Sequence, residues 1–409
     1  MIERHLRDEI LARQKPSEVW QGEPWLGSIY GEEEIEAVVN TIRASMAWNV
    51  GFGFICQEIA DFEEAFAAYC GVSDCISING AGTGLDMAMR ALGMEPGDEV
   101  IVPAVNFRAA PLSVVGAGGI PVFAEVLPAT LQLDPNDVVA RLTPRTRAIM
   151  PTHMNGLTAP MDDYLEIAER YPHPVHGPLK VIGDGARACG GGYRGTKIGK
   201  KGWMNIFSFH TMKTMTTLGE GGAITTDDKD AALLLRGYRQ FGNVNDGWGT
   251  NYKMTKVQAA VGLVQLRKLD HMIAARQRVA HDRNEMLRGV PEFTLPYEPP
   301  DCEHSFYLYT ILVQRDWAGE KRDRLLQIME DVYDINCVVA NAPVYESSGV
   351  LRSYIKGQTL PLSDELGKRL FCAPVHPAMT REQNEYICAA LIEAVERVRE
   401  ETGKYTVYK

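Results

Sequence analysis

The sequence predicts an α/β fold: a large, mixed but mostly parallel sheet covered by helices, followed by a smaller C-terminal α+β unit. Three observations lead there. Short apolar runs alternate with helical stretches from about residue 74 to residue 184, the rhythm of strands joined by crossover helices. Thr255 to Leu287 contains no proline and a single glycine, and its apolar residues keep helical spacing, so one long helix interrupts that rhythm. Beyond it lies a second mixture of strand and helix. A chain of 409 residues suits two units at roughly 100–200 residues each.

Residues 1–30 are polar with Trp20, Trp25 and Tyr30, and read as an arm packed onto the rest. Ile35, Val38, Val39 and Ile42 give Glu32 to Arg43 an apolar helical face. Strands are expected at Cys75–Ile78, Val100–Pro103, Pro121–Val126, Ala148–His153 and Leu179–Asp184. Between them, helices are expected at Leu85–Leu92, Asn136–Leu142 and Met161–Tyr171. The second unit offers a strand at Phe306–Val313, a helix at Arg322–Val332 and a closing helix at Thr380–Glu400. The division expected is an arm (1–30), a large unit (31–275) and a small unit (276–409).

Composition narrows the function. Hydrophobic residues make up 45% and charged residues 23%, ordinary for a globular protein with ample core. The formal charge of −11, with no basic stripe, argues against a nucleic-acid partner, because phosphate binding needs a basic footprint. No apolar run approaches the roughly 18–20 residues that span a bilayer, so no membrane partner is expected. The charged N-terminus lacks a hydrophobic signal core, and the eight scattered cysteines form no C-x-x-C pair; the expected location is the cytoplasm. The prolines around His173 and His176 deny them a shared helix face, and no metal site is expected.

Four local features carry chemistry. Gly80-Ala81-Gly82-Thr83-Gly84 joins a strand to a helix, where free backbone N–H groups and the helix terminus suit a phosphate. Asp184 ends an apolar run, the strand end at which α/β proteins keep charged groups. Ile206 to Phe209 delivers Ser208 and then Lys213 into a polar turn before Gly219-Glu220-Gly221-Gly222, between Met212 and Met215, surroundings that desolvate an amine and lower its pKa. Asn251 stands in a polar turn just ahead of the long helix. Each alone is also an ordinary feature: a tight turn, a capping aspartate, a solvated lysine, a loop. A dinucleotide site would need an acid about 20 residues beyond the glycines, and the next strand ends Val102-Pro103-Ala104-Val105-Asn106 without one.

Taken together, Ser208 to Lys213 with Gly219 to Ala223 resembles the cofactor-lysine signature of the DegT/DnrJ/StrS family of pyridoxal-phosphate (PLP) dependent sugar aminotransferases. Pro96 to Pro103, Pro121 to Phe123, Asp184 to Ala188 and Asn251 to Ala260 follow in the family's order, over roughly residues 25–390. The resemblance implies the fold-type I aminotransferase architecture, with PLP in the large unit and a homodimer that shares its active sites. It implies Lys213 as the Schiff-base lysine and proton shuttle, and Asp184 as the partner of the pyridine nitrogen. Phe107 would stack on the ring. Gly82, Thr83 and Ser208 would hold the phosphate, and Asn251 would reach the phosphate of the neighbouring subunit. The activity implied is ping-pong transfer of an amino group from glutamate or glutamine to a nucleotide-linked keto-sugar.

Departures from the pattern are also visible. Ala81-Gly82-Thr83 stands where the family usually has Ser-Gly-Thr, Gly183 where it commonly has Glu, and Arg187 where it usually has Gln or His. Arg187 beside the substrate would favour an acceptor carrying a carboxylate or phosphate, unless it pairs with a neighbouring acid. A ketocyclitol acceptor fits the lysine block as well as a keto-sugar does. A PLP dehydratase or a non-catalytic sensor of this fold would be expected to lack Lys213 or Asp184. His304, Tyr307, Tyr345 and His376 are candidates for the acceptor side.

Overall fold

The computed structural model describes residues 2–13, 15 and 20–406, with the side chains of 404–406 left aside; positions 1, 14 and 16–19 of the arm lie outside the described residues. In chain order the strands are β1 (Asp74–Ile78), β2 (Glu99–Pro103), β3 (Ile120–Ala124), β4 (Thr146–Ile149), β5 (Lys180–Asp184), β6 (Gly192–Tyr193), β7 (Thr196–Lys197), β8 (Met204–Ser208), β9 (Gly222–Thr226), β10 (Phe293–Thr294), β11 (Cys302–Glu303), β12 (Tyr309–Val313) and β13 (Leu370–Ala373).

Seven of them form the large sheet, in the order β1-β9-β8-β5-β4-β2-β3. From β8 to β3 every pair is parallel, while β9 runs against both β1 and β8. Every residue of β2, β4, β8 and β9 is buried, as expected of strands covered on both faces. One consequence matters most. The carboxyl ends of β1, β2, β5 and β8 all emerge on the same edge of the sheet, where such folds place their chemistry.

The helix after β1 spans Ala81–Ala91, so Ala81 to Gly84 belong to its first turn rather than to a preceding loop. A β-carbon on Gly84 would lie 2.8 Å from Ile78 and 2.9 Å from Ile206, so the absent side chain lets the helix lie tightly on the sheet. The strand predicted from Phe306 starts instead at Tyr309; Phe306 has φ of +45°, which no strand residue adopts.

The long helix runs Lys256–Leu287. Thr255 caps it: its hydroxyl accepts from Gln258 N, and the Gln258 side chain accepts from Thr255 N at 3.0 Å. Its first half packs on helices Glu32–Ser45 and Gln57–Cys70, its second on the closing helix Arg381–Thr406. The buried guanidinium of Arg276, on this helix, donates to the carbonyls of Phe306, Val375 and Gly27, joining helix, small sheet and arm. β10, β12 and β13 make that small antiparallel sheet, and helices Glu320–Tyr333 and Arg381–Thr406 share its core. The arm adds a helix at Arg4–Ala12, tied to the closing helix by an Arg7–Glu396 ion pair. Among the described residues, no helix is long and apolar enough to cross a membrane.

Candidate active site

Several loops of the sheet edge open onto one cavity of about 510 Å³. Asp184 is the last residue of β5 and Ser208 the last of β8, so both reach it directly from strand ends. Gly80, Ala81, Gly82 and Thr83 line it from the helix that follows β1. Gly80 caps that helix without a side-chain bond, which leaves the first-turn N–H groups of Ala81, Gly82 and Thr83 free for a ligand. Phe107, after β2, exposes its ring to the cavity. Its own N–H is held by the Asn106 carboxamide at 2.7 Å, and Asn106 is in turn anchored to Thr152 at 2.7 Å. Lys213 sits in the turn after β8, its N–H bonded to His210 O at 2.9 Å.

The charges are set by burial and by one another. Burial, with the Arg187 guanidinium adding to it, brings the Lys213 ammonium down to about 8 against the opposing pull of Glu23 and Asp184. Burial also raises Asp184 above its usual range, although the Ala186 N–H, Arg187 and Lys213 oppose it. A buried amine with a lowered pKa and a buried carboxyl with a raised one therefore share one cavity. Arg187 is buried and donates to Asn155 Oδ1 at 3.2 Å. Among the described residues it makes no ion pair with an acid, so its charge is left to the cavity.

Gly183 has a local cause. A β-carbon there would lie 2.0 Å from Asn205 Oδ1, the atom that faces His153 Nε2 at 3.4 Å. Gly183→Ala is therefore expected to lower stability by about 2–3 kcal/mol, because the buried Asn205 must move and lose partners. A fall in the urea midpoint checks this; an unchanged midpoint would show that Asn205 yields freely.

Asn251 stands apart from the other expected site residues. It is exposed, bridged to Gln240 on a hairpin, and does not line this chain's cavity. Of the second-unit candidates, only Tyr307 approaches, its hydroxyl 3.1 Å from Lys213 Nζ. His304 is stacked on Phe306 at 3.9 Å, Tyr345 bonds Asp364, and His376 bonds Leu26 O; all three serve packing. Sequence reasoning missed Glu23, His210 and Glu220, which also line the cavity. His210 and Glu220 flank motif residues and were within reach of it; Glu23 lies in the arm, with no local signal.

These residues fit PLP, which requires an amine, a carboxylate against its pyridine nitrogen, phosphate donors and a ring contact. Lys213 would supply the amine. Asp184, in no ion pair among the described residues, would face the pyridine nitrogen. The free first-turn N–H groups and the Ser208 hydroxyl would hold the phosphate, and Phe107 the ring face.

Comparison with known proteins agrees. A family model described as the DegT/DnrJ/EryC1/StrS aminotransferase family matches residues 29–392. GDP-perosamine synthase of Caulobacter vibrioides is 37% identical over 342 residues, 81% of this chain and 89% of that protein. The dTDP-3-amino-3,4,6-trideoxy-alpha-D-glucose transaminase of Streptomyces venezuelae is 32% identical, over 92% of this chain and 97% of that one. The crystal structure of S. venezuelae DesV in complex with a ketimine intermediate superposes with a TM-score of 0.81 at 32% identity, covering 90% of this chain and 95% of that one. A lysine, a carboxylate and a phosphate cradle on one sheet edge, in a chain matched along most of its length, place this protein in the DegT/DnrJ/EryC1/StrS family, as a PLP-dependent aminotransferase.

Proposed function

We propose that this enzyme transfers an amino group from glutamate or glutamine to a nucleotide-linked keto-sugar, in two half-reactions that regenerate the starting enzyme. The observation that carries this reading is the shared cavity of Lys213, Asp184 and an acid-free Arg187. Relatives named for GDP- and dTDP-linked sugars support a nucleotide-linked acceptor. PLP, when bound, supplies an electron sink that lets a proton leave the carbon bearing the amino group. Asp184 would pair with the pyridine nitrogen of the cofactor. Lys213 would hold the cofactor by its Nζ and, as a free amine, would carry a proton to and from the substrate carbon. The test is incubation with PLP, glutamate and a panel of keto acceptors, with mass spectrometry of the products. Amination of a nucleotide-linked keto-sugar is expected; amination of ketocyclitols alone would replace this substrate class.

Arg187 is assigned to an anionic group of the acceptor. Arg187→Gln is expected to lower kcat/KM for phosphate- or carboxylate-bearing acceptors by about tenfold or more relative to neutral ones, the scale of a lost charge-assisted hydrogen bond. A competition assay with unchanged preference would remove that role.

The active form is proposed to be a homodimer. Trp25, Met46, Trp48 and Phe54 cluster in residues 25–54 with exposures of 76%, 76%, 97% and 70%, more apolar surface than an isolated chain usually leaves to water. Phe241 and Trp248, which precede Asn251 in sequence, are exposed as well. A second copy covering these residues would carry Asn251 to the partner's phosphate cradle.

A further inference from the structure

The deepest contact of Lys213 leads away from the sheet edge, into the arm. Lys213 Nζ donates to the Tyr307 hydroxyl at 3.1 Å, and that hydroxyl donates to Glu23 Oε1 in a short hydrogen bond. Tyr307 is buried, and Lys213 Nζ also lies 4.5 Å from its ring centroid. Glu23 is fixed on both sides: Gly22 N donates to Asn336 O at 2.6 Å, and Gly27 N to Thr211 O at 2.9 Å. The arm runs so close to the lysine turn that a β-carbon on Gly27 would lie 1.9 Å from Met212 O. The charged groups facing this line are Asp184 at the end of β5, Arg187 from the loop after it, and Arg276 of the long helix behind the tyrosine.

We infer that Tyr307 is a catalytic residue that passes protons between Lys213 Nζ and Glu23, so that the arm supplies the terminal proton acceptor of the active site. This rests on the proposed role of Lys213. In the step, an N–H bond of the ammonium breaks as an O–H bond forms at the Tyr307 oxygen. The original Tyr307 O–H breaks as Glu23 Oε1 gains its hydrogen. Ammonium and carboxylate become amine and carboxylic acid, net charge is unchanged, and no solvent is needed. The exchange replaces a buried ammonium and its carboxylate partner by two neutral groups. The reverse transfer recharges the lysine when it must act as an acid.

Tyr307→Phe and Glu23→Gln test the relay, with Glu23→Asp as the conservative control. In the glutamate half-reaction, both disruptive variants are expected to lose roughly 10²-fold in kcat while KM stays within about twofold, and Glu23→Asp to recover part of the loss. The proton inventory in mixed H₂O and D₂O is expected to be curved for the parent enzyme, where two protons move together, and linear in Tyr307→Phe. In the bare protein, acetylation of Lys213 by acetic anhydride, followed against pH by peptide mass spectrometry, is expected to shift its midpoint downward in Glu23→Gln. A kcat for Tyr307→Phe within about twofold of the parent, with the inventory still curved, overturns the relay. An unmoved acetylation midpoint in Glu23→Gln overturns the coupling to the arm. Failure of the parent protein to bind PLP would instead strike the proposed function, and the acetylation profile would still judge the relay.

Discussion

Lys213→Ala is expected to lower amino transfer by on the order of 10⁴-fold or more, the loss of both a nucleophile and a proton carrier. That corresponds to about 5.5 kcal/mol of transition-state stabilisation. The magnitude follows from position. Lys213 is the only lysine lining the cavity among the described residues, so no second amine stands ready to substitute. Absorbance makes the loss visible without turnover: the parent protein mixed with PLP is expected to develop a band near ~410–430 nm that glutamate shifts towards ~330 nm, and Lys213→Ala to develop no such band. Added PLP would still find the phosphate cradle, Asp184 and Phe107, so retention of the cofactor without the band is the expected signature. A variant that kept the band would place the amine elsewhere.

Mixing two inactive proteins is expected to create an active one. Asn251→Ala removes a residue offered to the partner, whereas Lys213→Ala damages a subunit's own cavity. If sites are shared across a dimer, half of the randomly reassorted pairs contain one copy of each variant, with one intact and one doubly damaged site. Roughly a quarter of the parental activity should therefore return after subunit exchange, a consequence of two-fold symmetry. Activity that stays at the level of the separate variants, with exchange verified by a mass-tagged subunit, would show that Asn251 serves its own chain or none. A monomer in sedimentation would remove the shared site altogether.

Part of this architecture was legible in the residues. Ser208 and Asp184 were readable because each terminates an apolar strand, and a strand end carries its side chain to the sheet edge whatever the rest of the chain does. Phe107 was reached only through the family resemblance, and the structure has it just beyond β2. By contrast, β9 read as part of a glycine-rich turn. Gly222 opens it, and a β-carbon there would lie 2.7 Å from Phe207 O and 2.9 Å from Gly80 C, so the residue least typical of a strand is the one that fits at that crowded crossing. The helix start at Ala81 was hidden similarly, since glycines in a first turn look like a loop until the helix is seen pressed on the sheet. Glu23 was beyond local reading, and Tyr307 was read only as a candidate for the acceptor side. Their meeting depends on the arm, the long helix and the small sheet at once.

Glu23 and Tyr307 are separated by 284 residues, and this bears on how the molecule comes into being. The earlier-made of the two must wait for the later before either has its partner. Closing so wide a loop costs entropy that only the finished assembly repays, and distant pairings of this kind slow folding. On the ribosome, a chain with its large sheet already formed would still carry an unfastened arm and an unfinished lysine pocket. The line from Lys213 through Tyr307 to Glu23 thus closes late in the life of the nascent chain, well after most of its backbone hydrogen bonds are in place.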